Sequence, residues 1–166
     1  LFTLTLLLVP AMIMAESFST LWKKVTEARQ KDLPKTEISL LNNIIAKATA
    51  EDNYGHLIKA QLEKYHACRL FNDEKVAETI EEIKQKEAET QSKALQAVYN
   101  CALGLIYQDL SQSNIDPDKL SRPYFQKAMA NPDELARHKT TELQPAFTLG
   151  LDSRIFNNDL LHVIGM

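Results

Sequence analysis

Two cysteines and four histidines are the residues of this chain best suited to nucleophilic or metal chemistry, and their spacing leaves them little to do. Glu63-Lys64-Tyr65-His66 is one Glu-x-x-His step, the element that helical di-iron bundles use twice, together with further inward glutamates. A second step is absent from the sequence, so Glu63 and His66 are expected to be surface neighbours on one helix turn. His66 and Cys68 stand two apart and project to different sides of a helix, which separates them as zinc ligands. His56, His138 and His162 have no evident partner. Cys68 and Cys101 fall on two predicted helices about one apparent repeat apart. A disulfide between them needs favourably directed Cβ atoms across helix axes roughly 8–10 Å apart. Two buried thiols are the other arrangement, and both stay open.

The remaining chemical signals are also sparse. No Gly-rich phosphate loop, nucleophile elbow or His-Glu-x-x-His occurs. The glutamates of residues 74–89 are interspersed with Lys75, Lys84 and Lys86, the pattern of a solvated helix face and not of an acidic active site. No catalytic residue, metal or cofactor is expected, and the chain reads as non-enzymatic. Trp22, Tyr54, Tyr65, Tyr99 and Tyr107 either belong to the core or line a groove for a peptide, with Trp22, Tyr54 and Tyr65 the groove candidates. A net charge of −3 is too small to indicate nucleic-acid binding or strong membrane attraction.

The elements that would position these residues are helices. Apolar residues recur at helical spacing along the chain from Glu16 onward, and no alternating run suggests a strand. A first helix uses Phe18, Leu21, Trp22, Val25 and Ala28, and Pro34 can begin the second without losing a needed N–H. Ile38, Leu41, Ile45 and Ala48, widened by Leu40 and Ile44, make the second an inner helix. The third carries Tyr54, Leu57, Ile58, Leu62, Tyr65 and Cys68. The fourth has only Val76, Ile80 and Ile83 as its stripe and covers the others from outside. The fifth, Ser92 to about Leu110, packs through Leu95, Val98, Cys101, Ala102, Leu105 and Ile106. The first, third and fifth start about 35 residues apart, close to the tetratricopeptide period, although the full pattern of that repeat is absent.

The expected fold is therefore all-α, helical hairpins stacked in a tetratricopeptide-like array, with an irregular helical bundle as the alternative. A sixth helix uses Leu120, Tyr124, Phe125, Ala128 and Met129, and Asn131-Pro132-Asp133-Glu134 opens a short seventh. The pattern lapses around Pro145, where Phe147, Leu149, Ile155 and Phe156 suggest a packed link. Asn157-Asn158-Asp159 then offers caps for a last helix at Leu160. Residues 1–15 are uncharged and apolar apart from two threonines and Pro10, shorter than the roughly 20 residues of a membrane span. They read as a signal peptide cleaved after Ala15, its basic leading segment missing. Residues 16–166 form the helical domain, which is expected to continue past its apolar end.

Leu21-Trp22-Lys23-Lys24-Val25 through Lys31-Asp32-Leu33-Pro34-Lys35-Thr36 carries a family resemblance, as do Tyr124-Phe125-Gln126-Lys127-Ala128 with Asn131-Pro132 and Ile155-Phe156-Asn157-Asn158-Asp159-Leu160-Leu161. In order and wording these segments resemble the amino-terminal helical region of large bacterial alpha-2-macroglobulin-like proteins, over nearly the whole of residues 16–166. The resemblance implies an exported endopeptidase inhibitor, periplasmic, cell-surface or secreted in a Gram-negative bacterium. Later macroglobulin domains and a bait segment of such a protein entrap proteases, sometimes aided by a Cys-x-Glu-Gln thioester. Cys68 precedes Arg69-Leu70 and Cys101 precedes Ala102-Leu103, so neither cysteine can take the thioester role. The implied partners are downstream macroglobulin-type domains of the same chain, then proteases or a cell-envelope protein, with no nucleic acid and no membrane after signal cleavage. The other reading is an independent tetratricopeptide-like binding module of a cell-envelope protein.

Overall fold

A computed structural model of the chain describes residues 16–70, 73–110, 116–148 and 158–165. The expected signal segment 1–15, and Leu149, Ile155 and Phe156 of the expected packed link, lie outside the described residues. Among those described, the protein is all-helical, with eight α-helices and one 3₁₀ turn. They are α1 (Phe18–Gln30), α2 (Pro34–Ala50), α3 (Tyr54–Arg69), α4 (Asp73–Glu89), α5 (Lys93–Leu110), α6 (Pro117–Ala128), α7 (Pro132–Leu135) and α8 (Leu160–Gly165), with the turn at Thr140–Leu143. From α1 to α6 each helix packs on the next, so the chain forms an array of antiparallel hairpins.

Local chemistry sets the helix starts. Ser17, Asn53 and Asp159 each accept a bond at the side-chain oxygen from the backbone N–H three residues on, at 3.2, 3.2 and 2.9 Å. Ser92 does the same for Leu95 at 3.3 Å. Asn131 occupies the expected cap of α7 but makes no side-chain cap bond, and that helix closes after four residues.

The first two turns are built alike. Leu33 N donates to Ala28 O at 3.0 Å and Asn53 N donates to Ala48 O at 2.8 Å, each closing the end of the preceding helix. The residue before each donor is an aspartate in the left-handed region, Asp32 at φ 53° and Asp52 at φ 50°. Glycine usually fills this position, and aspartate is among the few side chains that tolerate it. A chain poor in glycine can thus still reverse sharply.

Two apolar clusters meet on α3. Leu21, Val25, Leu41 and Ile44 pack with Ala60 and Ala67 on one side of it. Ile58, Tyr65 and Cys68 enter a larger cluster with Val76, Ile80 and Ile83 of α4 and with Leu95, Val98, Leu103 and Ile106 of α5. The enclosed helices are α3 and α5. Contrary to the expectation of an inner second helix, α2 leaves Ser39, Asn42, Asn43 and Ala46 exposed, and its buried row runs through Leu41, Ile44 and Ala48. Full burial of Leu41 and Ile44 stabilises the fold by about 1.5–3 kcal/mol each. Leu105, expected in the stripe of α5, is 54% exposed.

The segment after α7 returns across the array. An added Cβ on Gly55 would lie 2.0 Å from the carbonyl oxygen of Gln144, so this backbone rests directly on the first turn of α3. Gly104 likewise admits the ring of Phe125, which seats α6 against α5. A single antiparallel bridge, Lys139 to Asp159, ties the returning segment to the start of α8.

Candidate functional site

Polar side chains join helices one repeat apart. The Trp22 indole N–H donates to His56 Nδ1 at 2.8 Å, across 34 residues from α1 to α3. Accepting at Nδ1 fixes the imidazole as the neutral form protonated at Nε2. Phe18 stacks on the same ring, with centroids 3.9 Å apart and planes 8° from parallel. Burial lowers the His56 pKa, the nearby Lys59 ammonium lowers it further, and Glu51 opposes both. Lys47 and Lys59 lie over the Phe18 and Trp22 rings at 5.0 and 5.1 Å, closing the cluster with cations.

A second link of the same span joins Arg29 to Glu63 at 2.6 Å, while Arg29 Nε also donates to buried Glu37 at 2.9 Å. Lys59 reaches the other Glu63 oxygen at 3.0 Å. Burial alone would raise the Glu63 pKa, but the hydrogen bonds from Lys59 and Arg29 outweigh it and hold the carboxyl below its ordinary range. Between α3 and α4, Lys64 donates to both Glu82 oxygens at 2.8 and 2.9 Å. Between α3 and α5, Tyr65 donates to Asp109 at 2.8 Å, and Arg69 pairs with the same oxygen. Arg69 first and Tyr65 second lower the Asp109 pKa. These charges tie helix to helix.

One cavity stands apart from this pattern. It holds about 110 Å³ at the end of the array where the α2–α3 turn meets the C-terminus of α4. Ala48, Leu57, Tyr54 and Tyr99 line it together with the polar residues Thr49, Asp52, Lys86, Glu89 and Thr90. Tyr99 is 1% exposed and its hydroxyl has no hydrogen-bond partner among the described residues. Burial raises its pKa and Tyr54 and Glu89 raise it further, so it stays a neutral phenol. An unpaired buried hydroxyl costs about 1–3 kcal/mol. The Gln61 side-chain oxygen is also buried without a partner, but it does not line this cavity.

The three groove candidates occupy three different settings. Trp22 is half-buried in the α1–α3 seam, Tyr54 lines the cavity, and Tyr65 is core, 1% exposed with its hydroxyl on Asp109. Cys68 and Cys101 are both free thiols. Cys68 lies 3.9 Å from the Thr79 hydroxyl on α4, and burial raises the pKa of each thiol, which disfavours the reactive thiolate.

The histidine expectations need correction. Glu63 does not pair with His66; its oxygens are taken by Arg29 and Lys59, and exposed His66 sets its ring edge-on to Tyr65. His56 has the partners described above. His138 is bonded at Nδ1 to Glu142, 2.9 Å, and at Nε2 to Glu134, 3.3 Å, and His162 Nδ1 meets Asp159 at 2.8 Å. The two glutamates of His138 lie on opposite ring nitrogens and so cannot share one ion with it. Among the described residues no three His, Cys, Asp or Glu side chains are grouped to hold a metal ion. His138 lies in the bend between α7 and the 3₁₀ turn, so helical spacing along the sequence does not announce its contacts with Glu134 and Glu142.

No family model matches the chain, and no curated protein or solved structure matches it.

Proposed function

We propose that this chain is a non-catalytic docking domain at the front of an exported alpha-2-macroglobulin-like protease-trap protein. The observation that carries the reading is the resemblance of the segments around Trp22, Tyr124 and Asn157, which spans nearly all of residues 16–166. The arrangement of polar groups supports it. Arg29 with Glu37 and Glu63, Lys64 with Glu82, and Tyr65 with Asp109 are spent holding helices together. Such an array offers surfaces and not a reactive cleft. Its partners are then the macroglobulin-type domains that follow it in the same polypeptide, and through them proteases or a cell-envelope protein. Export places it in the periplasm, at the cell surface or outside the cell. Among the described residues no helix is long and apolar enough to cross a membrane.

The complete reading frame of the gene tests this directly. Successive β-sandwich patterns after Met166 are expected, and a continuation without them would end the protease-trap assignment. The second reading, an independent tetratricopeptide-like module that binds one peptide or protein of the cell envelope, is favoured by the cavity beside the α2–α3 turn. It would be preferred if the reading frame held no inhibitory domains and residues 16–166 bound a defined ligand.

A further inference from the structure

We propose that His138 is a proton-operated clasp: its imidazolium, held between Glu134 and Glu142, fixes the bend on which α8 docks, and loss of one proton loosens α8 while α1 to α6 stay folded. The donor count comes first. Glu142 Oε2 stands 2.9 Å from Nδ1 and Glu134 Oε1 stands 3.3 Å from Nε2. An ionised carboxylate only accepts, so both contacts are hydrogen bonds only when both ring nitrogens carry protons. The neutral ring has one N–H and turns a lone pair towards the other glutamate. Each carboxylate is also held by its second oxygen. Arg137 meets Glu134 Oε2 at 3.3 Å, and the Lys139 backbone N–H donates to Glu142 Oε1 at 2.8 Å. The hydrogen bond to Glu142, then that to Glu134, raises the His138 pKa above the ordinary 6.5 although burial opposes them.

The bend carries α8. His138 O accepts from Leu160 N at 2.9 Å and Thr140 N donates to Asn158 O at 2.9 Å, on either side of the Lys139–Asp159 bridge. α8 is six residues long and sets Leu160 and Ile164 into the cluster built on α5. A helix this short depends on its attachments, whereas α1 to α6 pack in sequence on one another. The other charged or titratable groups on these elements are Asp133, Arg137, Lys139, Asp159 and His162. His162 Nδ1 meets Asp159 at 2.8 Å, a contact that the neutral ring also makes, so the clasp does not need its charge. α5 meets α7 and α8 through the apolar cluster that takes in Leu135, Leu160 and Ile164, and α3 packs on the 3₁₀ turn. Neither places a charge among the main influences on His138.

The test is amide hydrogen exchange of the nitrogen-15 labelled chain, followed by NMR from about pH 5 to 8 and corrected for the base-catalysed rate of an unstructured amide. The Thr140 and Leu160 amides report the clasp, and those of Leu41 and Ile44 report the array. Thr140 and Leu160 should exchange faster than Leu41 and Ile44 at every pH, because α8 opens without the array. Their protection should fall about fivefold across the range, in step with the His138 ring signal, as loss of one partly exposed charged hydrogen bond implies. Circular dichroism should stay constant over the same range. Glu134→Gln should remove most of the fall, because its amide donates to a neutral ring as readily as its oxygen accepts from a charged one. His138→Gln should remove all of it. Thr140 and Leu160 as protected as Leu41 and Ile44, a fall absent or out of step with His138, or the full fall in either variant would overturn the proposal.

Discussion

Replacing His56 by alanine should cost about 2 kcal/mol, and the structure says where that comes from. The Trp22 N–H loses its acceptor at 2.8 Å, a net loss of about 1 kcal/mol, at the low end because the indole is half-buried and water can reach it. The Phe18 ring loses a stacked partner at 3.9 Å, about another 1 kcal/mol. His56→Phe restores the ring but not the acceptor, and should cost about 1 kcal/mol. Urea denaturation followed by far-ultraviolet circular dichroism measures both. Trp22 is the only tryptophan, so its emission reports the same contact independently. The protonation state adds a second axis. Burial, aided by Lys59, keeps the folded pKa of His56 below the ordinary 6.5. Its contribution is therefore complete above the unfolded pKa and is lost as pH falls from about 6.5 through the folded value. Wild type should lose stability relative to His56→Phe over that window. A His56→Ala variant as stable as wild type, with unchanged Trp22 emission, would refute the proposed coupling of α1 to α3. A difference that grows on acidification would refute the sign.

Three further expectations follow from contacts of the same kind. Gly55→Ala places a methyl 2.0 Å from the Gln144 oxygen, a backbone atom that must move. It should cost about 1–3 kcal/mol and raise amide hydrogen exchange in residues 140–148 before any other part of the array. Asp32→Gly relieves a left-handed aspartate at φ 53° and should raise stability by about 0.5–1 kcal/mol in the same urea assay. For His138, the hydrogen bond to Glu142 leads the causes that raise its pKa, with Glu134 adding to it. That contribution is complete below about 6.5 and is lost as pH rises through the raised folded value. His138→Gln should abolish this loss, and the His138 ring should titrate above 6.5 by NMR.

What could be read from the sequence was the part written in local spacing. Pro34 opens α2, Asp159 caps α8, and Val76, Ile80 and Ile83 form the buried row of α4 as their period requires. The ranking of helices could not be read the same way. Buried Gln61 and Lys64 interrupt the apolar pattern of α3, so this central helix looks more polar than the flanking α2. Lys64 is tolerated inside because Glu82 meets it from α4, a partner no periodicity along α3 could show. The site was less legible still. Tyr54 and Tyr99 reach one cavity from helices separated by α4, and Gly55 is needed because Gln144, far along the chain, lies on it. The places of the first two turns were legible, but not that an aspartate would take the left-handed position glycine usually fills.

The functional claim is tested most directly by incubating the complete product of the gene with trypsin, then comparing hydrolysis of a small chromogenic peptide with hydrolysis of casein. Entrapment leaves the protease site intact while walling it off, so peptide hydrolysis should persist and casein hydrolysis should fall away. Casein hydrolysed at the rate of trypsin alone would contradict the account.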